Sequence, residues 1–162
     1  MGQETRICFV CLGNIVRSPL AENLFRKTVE DKGSAESYQV ESAGTGDWHV
    51  GEPPDPRMRR VAARHGLIYS GLARQFQAAD FDRFDWVVAM DLENRDNLRR
   101  LARTEAQRAK IRLLREFDPR GGPKSSVPDP YYGGVEGFEE VYRIVERSVR
   151  GLLQALENGE ME

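Results

Sequence analysis

Arg6-Ile7-Cys8-Phe9-Val10-Cys11-Leu12-Gly13-Asn14-Ile15-Val16-Arg17-Ser18-Pro19 decides how this chain folds. Ile7 to Val10 is an apolar run without alternation, the pattern of a strand buried on both faces. Gly13 and Asn14 are turn residues that tolerate left-handed backbone. Ser18 is a good helix N-cap and Pro19 a good first helical residue. Leu20, Ala21, Leu24 and Phe25 then recur on one helical face, and Gly33 marks a stop. The stretch reads as strand, tight loop and helix, the opening unit of a parallel α/β sheet.

The same loop carries chemistry. Cys11 stands six residues before Arg17. The loop Leu12, Gly13, Asn14, Ile15, Val16 and Arg17 can aim several backbone N–H groups at one point, and the helix N-terminus adds partial positive charge there. Arg17 supplies a planar fork of donors suited to phosphate oxygens. A helix N-terminus and a guanidinium together favour a thiolate over a thiol. Cys11 therefore reads as a nucleophile at the bottom of an anion cradle, a device for attacking phosphorus. A strand-to-helix turn with a buried cysteine and a surface arginine would account for Gly13 and Pro19. It would not account for a reactive side chain and a strong anion binder sharing one turn.

Outward from this unit the pattern repeats. Short strands are predicted at Tyr38 to Glu41, Asp85 to Met90 and Ile111 to Leu114. One helix opens at Asp55-Pro56 and ends near Gly66, and another follows Met90 through about Leu101. The last, from about Gly137 to Leu156, carries Phe138, Val141, Val145, Val149, Leu152 and Leu156 on one face. The predicted fold is a doubly wound, four-stranded parallel sheet with helices on both faces and a phosphate-binding loop after the first strand. Residues 1–157 form a single domain and 158–162 a frayed tail. Active sites on such sheets lie at the carboxyl ends of the strands. Cys11, Ser42, Asp91 and the Pro/Gly-rich 118–134 loop all fall there. That loop is too long to be a passive connection.

Composition agrees. Of 162 residues, 40% are hydrophobic and 31% charged, which suits a folded globule. A formal net charge of −2 gives no strong pull toward nucleic acid or a membrane surface, so neither is expected as a partner. The 24 basic residues are mostly arginine, which points to surface ion pairing or genomic composition rather than nucleic-acid binding. Two cysteines make no disulfide framework, so a reducing cytoplasm is the expected location. No apolar segment follows Met1 as in a signal peptide, and Arg6 breaks the myristoylation pattern that Gly2 would begin. His49 and His65 are too scattered for a metal site, and no cofactor is expected.

The loop resembles the active-site loop of the low-molecular-weight protein tyrosine phosphatases, whose pattern is Cys-x-Gly-Asn-x-Cys-Arg-Ser-Pro after an apolar strand. Ser42-Ala43-Gly44-Thr45, Asp47-Trp48, Asp55-Pro56-Arg57, Ala73-Arg74-Gln75, Met90-Asp91 and Asp129-Pro130-Tyr131-Tyr132 look like further landmarks in family order. Two positions depart. Val16 stands where the family has a second loop cysteine, and Gly71 lies near where several members carry a histidine. The resemblance implies hydrolysis of phosphotyrosine in proteins, and of aryl phosphates, through a phosphocysteine on Cys11. Arg17 would hold the transferring group and Asp129 would be the general acid. Ser18 would hydrogen-bond the sulfur, and Asn14 would fix the loop by bonding to Ser42. Trp48, Tyr131 and Tyr132 would wall the pocket, with Leu12 and Ile15 at its mouth. Asp91 reads as structural and Asp55 as an N-cap. The chain is expected to be a monomer or weakly self-associating.

Other readings are weaker. Arsenate reduction on this fold passes a disulfide through additional cysteines, and none follows Cys11. A dithiol at Cys8 and Cys11 would belong at the start of a helix, whereas Cys8 lies within a strand. Three residues of strand span about 10 Å, beyond the roughly 7 Å between Cα atoms that a disulfide allows. Protein-arginine phosphatases resemble this chain but carry threonine where Ile15 stands. A non-enzymatic phosphoprotein binder would be expected to lose Cys11 or Asp129, and both are present.

Overall fold

Burial on both faces explains why Ile7 to Val10 forms the first strand of the sheet's middle: all four residues are fully buried. The computed structural model describes residues 4–122, 125–131 and 133–161. In it, β1 (Thr5–Cys11) runs into α1 (Arg17–Asp31), then β2 (Tyr38–Gly44) and α2 (Pro56–Arg64). β3 (Trp86–Ala89), α3 (Leu92–Leu101), the one-turn α4 (Glu105–Arg108), β4 (Ile111–Leu113) and α5 (Val135–Glu157) follow. The sheet is four-stranded, in the order β2-β1-β3-β4. Every neighbouring pair is parallel.

Alternation along β1 sorts the core into two layers. Ile7, Phe9 and Cys11 pack with residues of α1, α2 and α5 on one face. Cys8 and Val10 pack with Phe76, Phe81, Phe84 and Leu98 on the other. The two cysteines thus point to opposite faces, as their odd spacing requires. Among the described residues no helix is long and apolar enough to cross a membrane.

Some boundaries differ from the sequence reading. Ser18 is not the N-cap of α1. Val16 occupies that place without a side-chain hydrogen bond, and the helix begins at Arg17. Ser18 and Pro19 therefore sit inside the first turn, where a missing N–H costs nothing. β2 continues past Glu41 to Gly44 because Ala43 and Gly44 pair with Val10 and Cys11. The last helix starts at Val135 rather than Gly137. Residues 158–161, expected to fray, end on a docked side chain. Met161 is only 5% exposed and belongs to the core layer under α5, and Arg112 donates to its carbonyl.

Candidate active site

The loop after β1 is held from outside by its carbonyls. Cys11 O accepts from Thr45 N at 2.8 Å, Leu12 O from Gly46 N at 2.9 Å, and Ile15 O from Asp55 N at 2.8 Å. In a planar trans peptide the C=O and the following N–H point in opposite directions. The pinned carbonyls therefore turn the N–H groups of Leu12, Gly13 and Val16 to the opposite side, into the loop. β2 approaches so closely that a Cβ on Gly44 would lie 2.7 Å from Leu12 O, so this position admits only glycine without displacing the loop. Asn14 is the one described non-glycine residue with positive φ, at 57°. Asparagine tolerates that conformation better than other side chains, as read from the sequence.

Cys11 lies almost wholly buried at the centre of this loop. Its Sγ is 3.0 Å from Ser18 Oγ and accepts from Asn14 N at 3.3 Å. Ser18 Oγ also lies 3.3 Å from Ala43 O and accepts from Asn14 Nδ2 at 2.8 Å. Its single proton thus has two possible acceptors. With a thiol at Cys11 it can go to Ala43 O, and with a thiolate it can go to sulfur. Asn14 is fully engaged: Nδ2 also donates to Ser42 Oγ at 3.0 Å, and Oδ1 accepts from Arg74 N at 3.0 Å. Ser42 Oγ donates in turn to Glu22 Oε1 at 2.6 Å.

Arg17 is buried, and its Nη1 donates to Asp91 Oδ2 at 2.7 Å and to Val127 O at 3.0 Å. Its Nη2 is 3.7 Å from Asp129 Oδ2. Burial alone would lower its pKa. The Cys11 sulfur, the Asp91 hydrogen bond and the charges of Asp91 and Asp129 outweigh burial and raise it. The guanidinium is therefore a permanent cation beside the sulfur. Asp91 also caps α3, accepting from Asn94 N at 2.7 Å. One carboxylate thus ties the end of β3, the start of α3 and Arg17 together.

The Asp129 segment is anchored at both sides. Val127 is fully buried and its N–H donates to Met90 O at 2.8 Å. Beyond it, Arg57 Nη1 donates to Tyr131 O at 2.7 Å, while its guanidinium lies 5.0 Å from the Tyr131 ring centroid. Arg57 is held by Asp55, the N-cap of α2 as expected, which accepts from Arg57 N at 2.8 Å and from Nη2 at 2.8 Å. Burial would raise the pKa of Asp55, but these bonds from Arg57 hold it below its ordinary value. Asp129 itself stays half-exposed at the cavity.

Cys11, Leu12, Gly13, Ile15, Val16, Arg17, Trp48, Asp129 and Tyr131 line one cavity of about 440 Å³. Asn14, Ser18 and Ser42 stand behind it as supports. Tyr132 lies outside the described residues. Three contributors were not read from the sequence as parts of the site. His49 lines the same cavity and pairs through Nδ1 with Glu52 at 3.0 Å. Glu22 closes the Asn14–Ser42 chain, and Asp91 orients Arg17. The only sequence signal for Glu22 is its place one turn after Ser18 on the buried side of α1.

Residues 6–161 match the family model of the low molecular weight phosphotyrosine protein phosphatases. The chain belongs to this phosphatase family. A low molecular weight protein-tyrosine-phosphatase of Streptomyces coelicolor is 53% identical over 152 residues, covering 93% of each chain. A human low molecular weight phosphotyrosine protein phosphatase is 42% identical over 149 residues, covering 91% of this chain and 93% of the relative. The crystal structure of a protein tyrosine phosphatase from Entamoeba histolytica superposes with a TM-score of 0.92 at 37% identity, over 97% of this chain and 99% of that one. That phosphatase was solved with Hepes in its active site. The family is one of hydrolases, and this phosphatase shares its four-stranded α/β fold.

Proposed function

We propose that this phosphatase hydrolyses phosphotyrosine in proteins through a covalent phosphocysteine on Cys11. The observation that carries this reading is the meeting of Cys11 Sγ, Arg17 and Asp129 around one cavity. In the first step the sulfur attacks phosphorus in line, and a new S–P bond forms as the P–O bond to the ring breaks. The electron pair of that bond goes to the phenolic oxygen, and protonated Asp129 supplies its proton. The inward N–H groups and Arg17 stabilise the charge on the equatorial oxygens. In the second step Asp129, now a carboxylate, takes a proton from water as the water attacks phosphorus. The S–P bond breaks and the sulfur leaves as a thiolate, which the Ser18 hydroxyl can then hydrogen-bond.

The 3.7 Å approach of Asp129 to Arg17 fits this cycle. A phosphate in the cradle gives Arg17 a stronger partner than Asp129. Trp48 and Tyr131 wall the cavity for a flat ring, and Ile15 stands where the arginine-specific phosphatases carry threonine. Phosphotyrosine should therefore be cleaved faster than phosphoserine or phosphoarginine.

The test is Asp129→Asn against aryl phosphates of graded leaving-group acidity. The loss should be about 10²- to 10⁴-fold for poor leaving groups and should shrink for phenolates that need no proton. Equal losses across the series would make Asp129 a structural residue instead.

A further inference from the structure

Trp48 separates two cavities. Its ring lies so close over Gly46 that a Cβ there would fall 1.9 Å from the indole. The ring is nevertheless 69% exposed. Together with Leu12 it lines both the Cys11 cavity and a second cavity of about 430 Å³. The second cavity is bounded by the start of the loop after β2, by the Gln75–Gln77 segment and by one face of α3.

The chemistry of that lining suits polypeptide. Glu93, Asn97 and Leu101 recur every four residues and present one face of α3 to it. Gln77 and Asn97 offer side-chain amides, which both donate and accept as a peptide backbone does. Thr45 also belongs to the lining. Leu101 is partly exposed at 38% and gives an apolar contact. The charge is one-sided: among the described residues the lining holds Glu93 and no basic side chain. Arg100 follows about two turns along α3 from Glu93, and its guanidinium reaches back to donate to Asn97 Oδ1, about one turn from Glu93.

We propose that this second cavity is a subsite for the chain flanking the phosphotyrosine, and that Glu93 makes it prefer lysine or arginine there over an acidic residue. The inference rests on the reading of the Cys11 cavity as the phosphotyrosine site. Continuity argues for the substrate's own chain as occupant. An extended peptide advances about 3.3 Å per residue. A cavity that shares the Leu12–Trp48 wall is therefore within reach of the first few residues beside the phosphotyrosine.

The experiment compares kcat/KM for paired phosphotyrosine peptides with lysine or glutamate at each of the flanking positions. Wild type, Glu93→Gln and Glu93→Lys are assayed at low and high salt, with a small aryl phosphate as control. Wild type should favour lysine about two- to fivefold at one or more flanking positions, the range of an exposed ion pair. Salt should shrink that preference. Glu93→Gln should level it and Glu93→Lys should invert it, while aryl phosphate turnover stays at the wild-type value. A preference absent from wild type, or unchanged in Glu93→Lys, overturns the subsite while aryl phosphate turnover keeps the active-site reading. Failure of wild type to hydrolyse aryl phosphate would instead remove the reading beneath it.

Discussion

Replacing Asn14 separates what its side chain does from what its backbone conformation costs. The side chain makes three hydrogen bonds, two donated to Ser18 and Ser42 and one accepted from Arg74. It is buried, so water cannot replace them without rearrangement. Each such bond is worth about 0.5–1.5 kcal/mol net, and placing alanine at positive φ costs about 1–2 kcal/mol. Asn14→Ala should therefore lose about 3–5 kcal/mol, a large part of an ordinary domain's stability. Asn14→Gly loses the same bonds but adopts φ of 57° without the Cβ penalty. Glycine should thus be more stable than alanine here by about 1 kcal/mol, the reverse of their order in a helix. The assay is urea unfolding of the three proteins, with inhibition by inorganic phosphate measured on each. Both variants should bind phosphate more weakly, because the loop N–H groups lose their fixed direction. An Asn14→Ala protein as stable as Asn14→Gly would refute the left-handed conformation. Losses below about 1 kcal/mol in both would refute the hydrogen-bond set.

Two further outcomes are expected. Asp118 is a fully buried carboxylate bonded to Arg147 Nε at 3.0 Å, Arg115 Nε at 3.2 Å and Arg120 N at 2.9 Å. Burial would raise its pKa, but Arg147 and its other partners hold it below the ordinary value. A depressed folded pKa stabilises above the unfolded value near about 4, and that stability is lost as pH falls through the lower folded value. Asp118→Asn should thus cost about 1.5–3 kcal/mol at neutral pH, and urea midpoints should show the gap to wild type closing only below about pH 4. The second outcome is oxidative. Cys8 is fully buried on the opposite sheet face from Cys11, and burial pushes its thiol up. It should stay inert while peroxide drives Cys11 to sulfenic and then sulfinic acid. Activity should recover poorly with dithiothreitol and better in Val16→Cys. An intramolecular Cys8–Cys11 disulfide in the mass spectrum would contradict this.

The β1–loop–α1 unit was legible because its constraints are local. A strand buried on both faces needs an unbroken apolar run, and a loop at positive φ needs Asn or Gly. Ser18 misled for the same reason. Serine before proline looks like a cap, but the loop geometry starts the helix earlier and turns the hydroxyl toward Cys11 and Ala43 O. The extension of β2 was hidden because Ser42-Ala43-Gly44 looks like a turn until pairing with Val10 and Cys11 makes it strand. The sequence places Asp91 at a strand end beside the site but does not show its bond to Arg17, which spans 74 residues and leaves no local pattern. Met161 packs into a core assembled from distant parts of the chain, which leaves no local pattern in the tail.

The central claim is that phosphate passes through a bond to Cys11. Acid quenching of the protein during turnover of an aryl phosphate, followed by peptide mass spectrometry, tests it directly. One added phosphoryl group is expected on the peptide containing Cys11, accumulating in Asp129→Asn with a good leaving group and absent in Cys11→Ser, which still binds inorganic phosphate. A Cys11→Ser protein that turns over substrate within about tenfold of wild type, a barrier change of only about 1.4 kcal/mol, would contradict it.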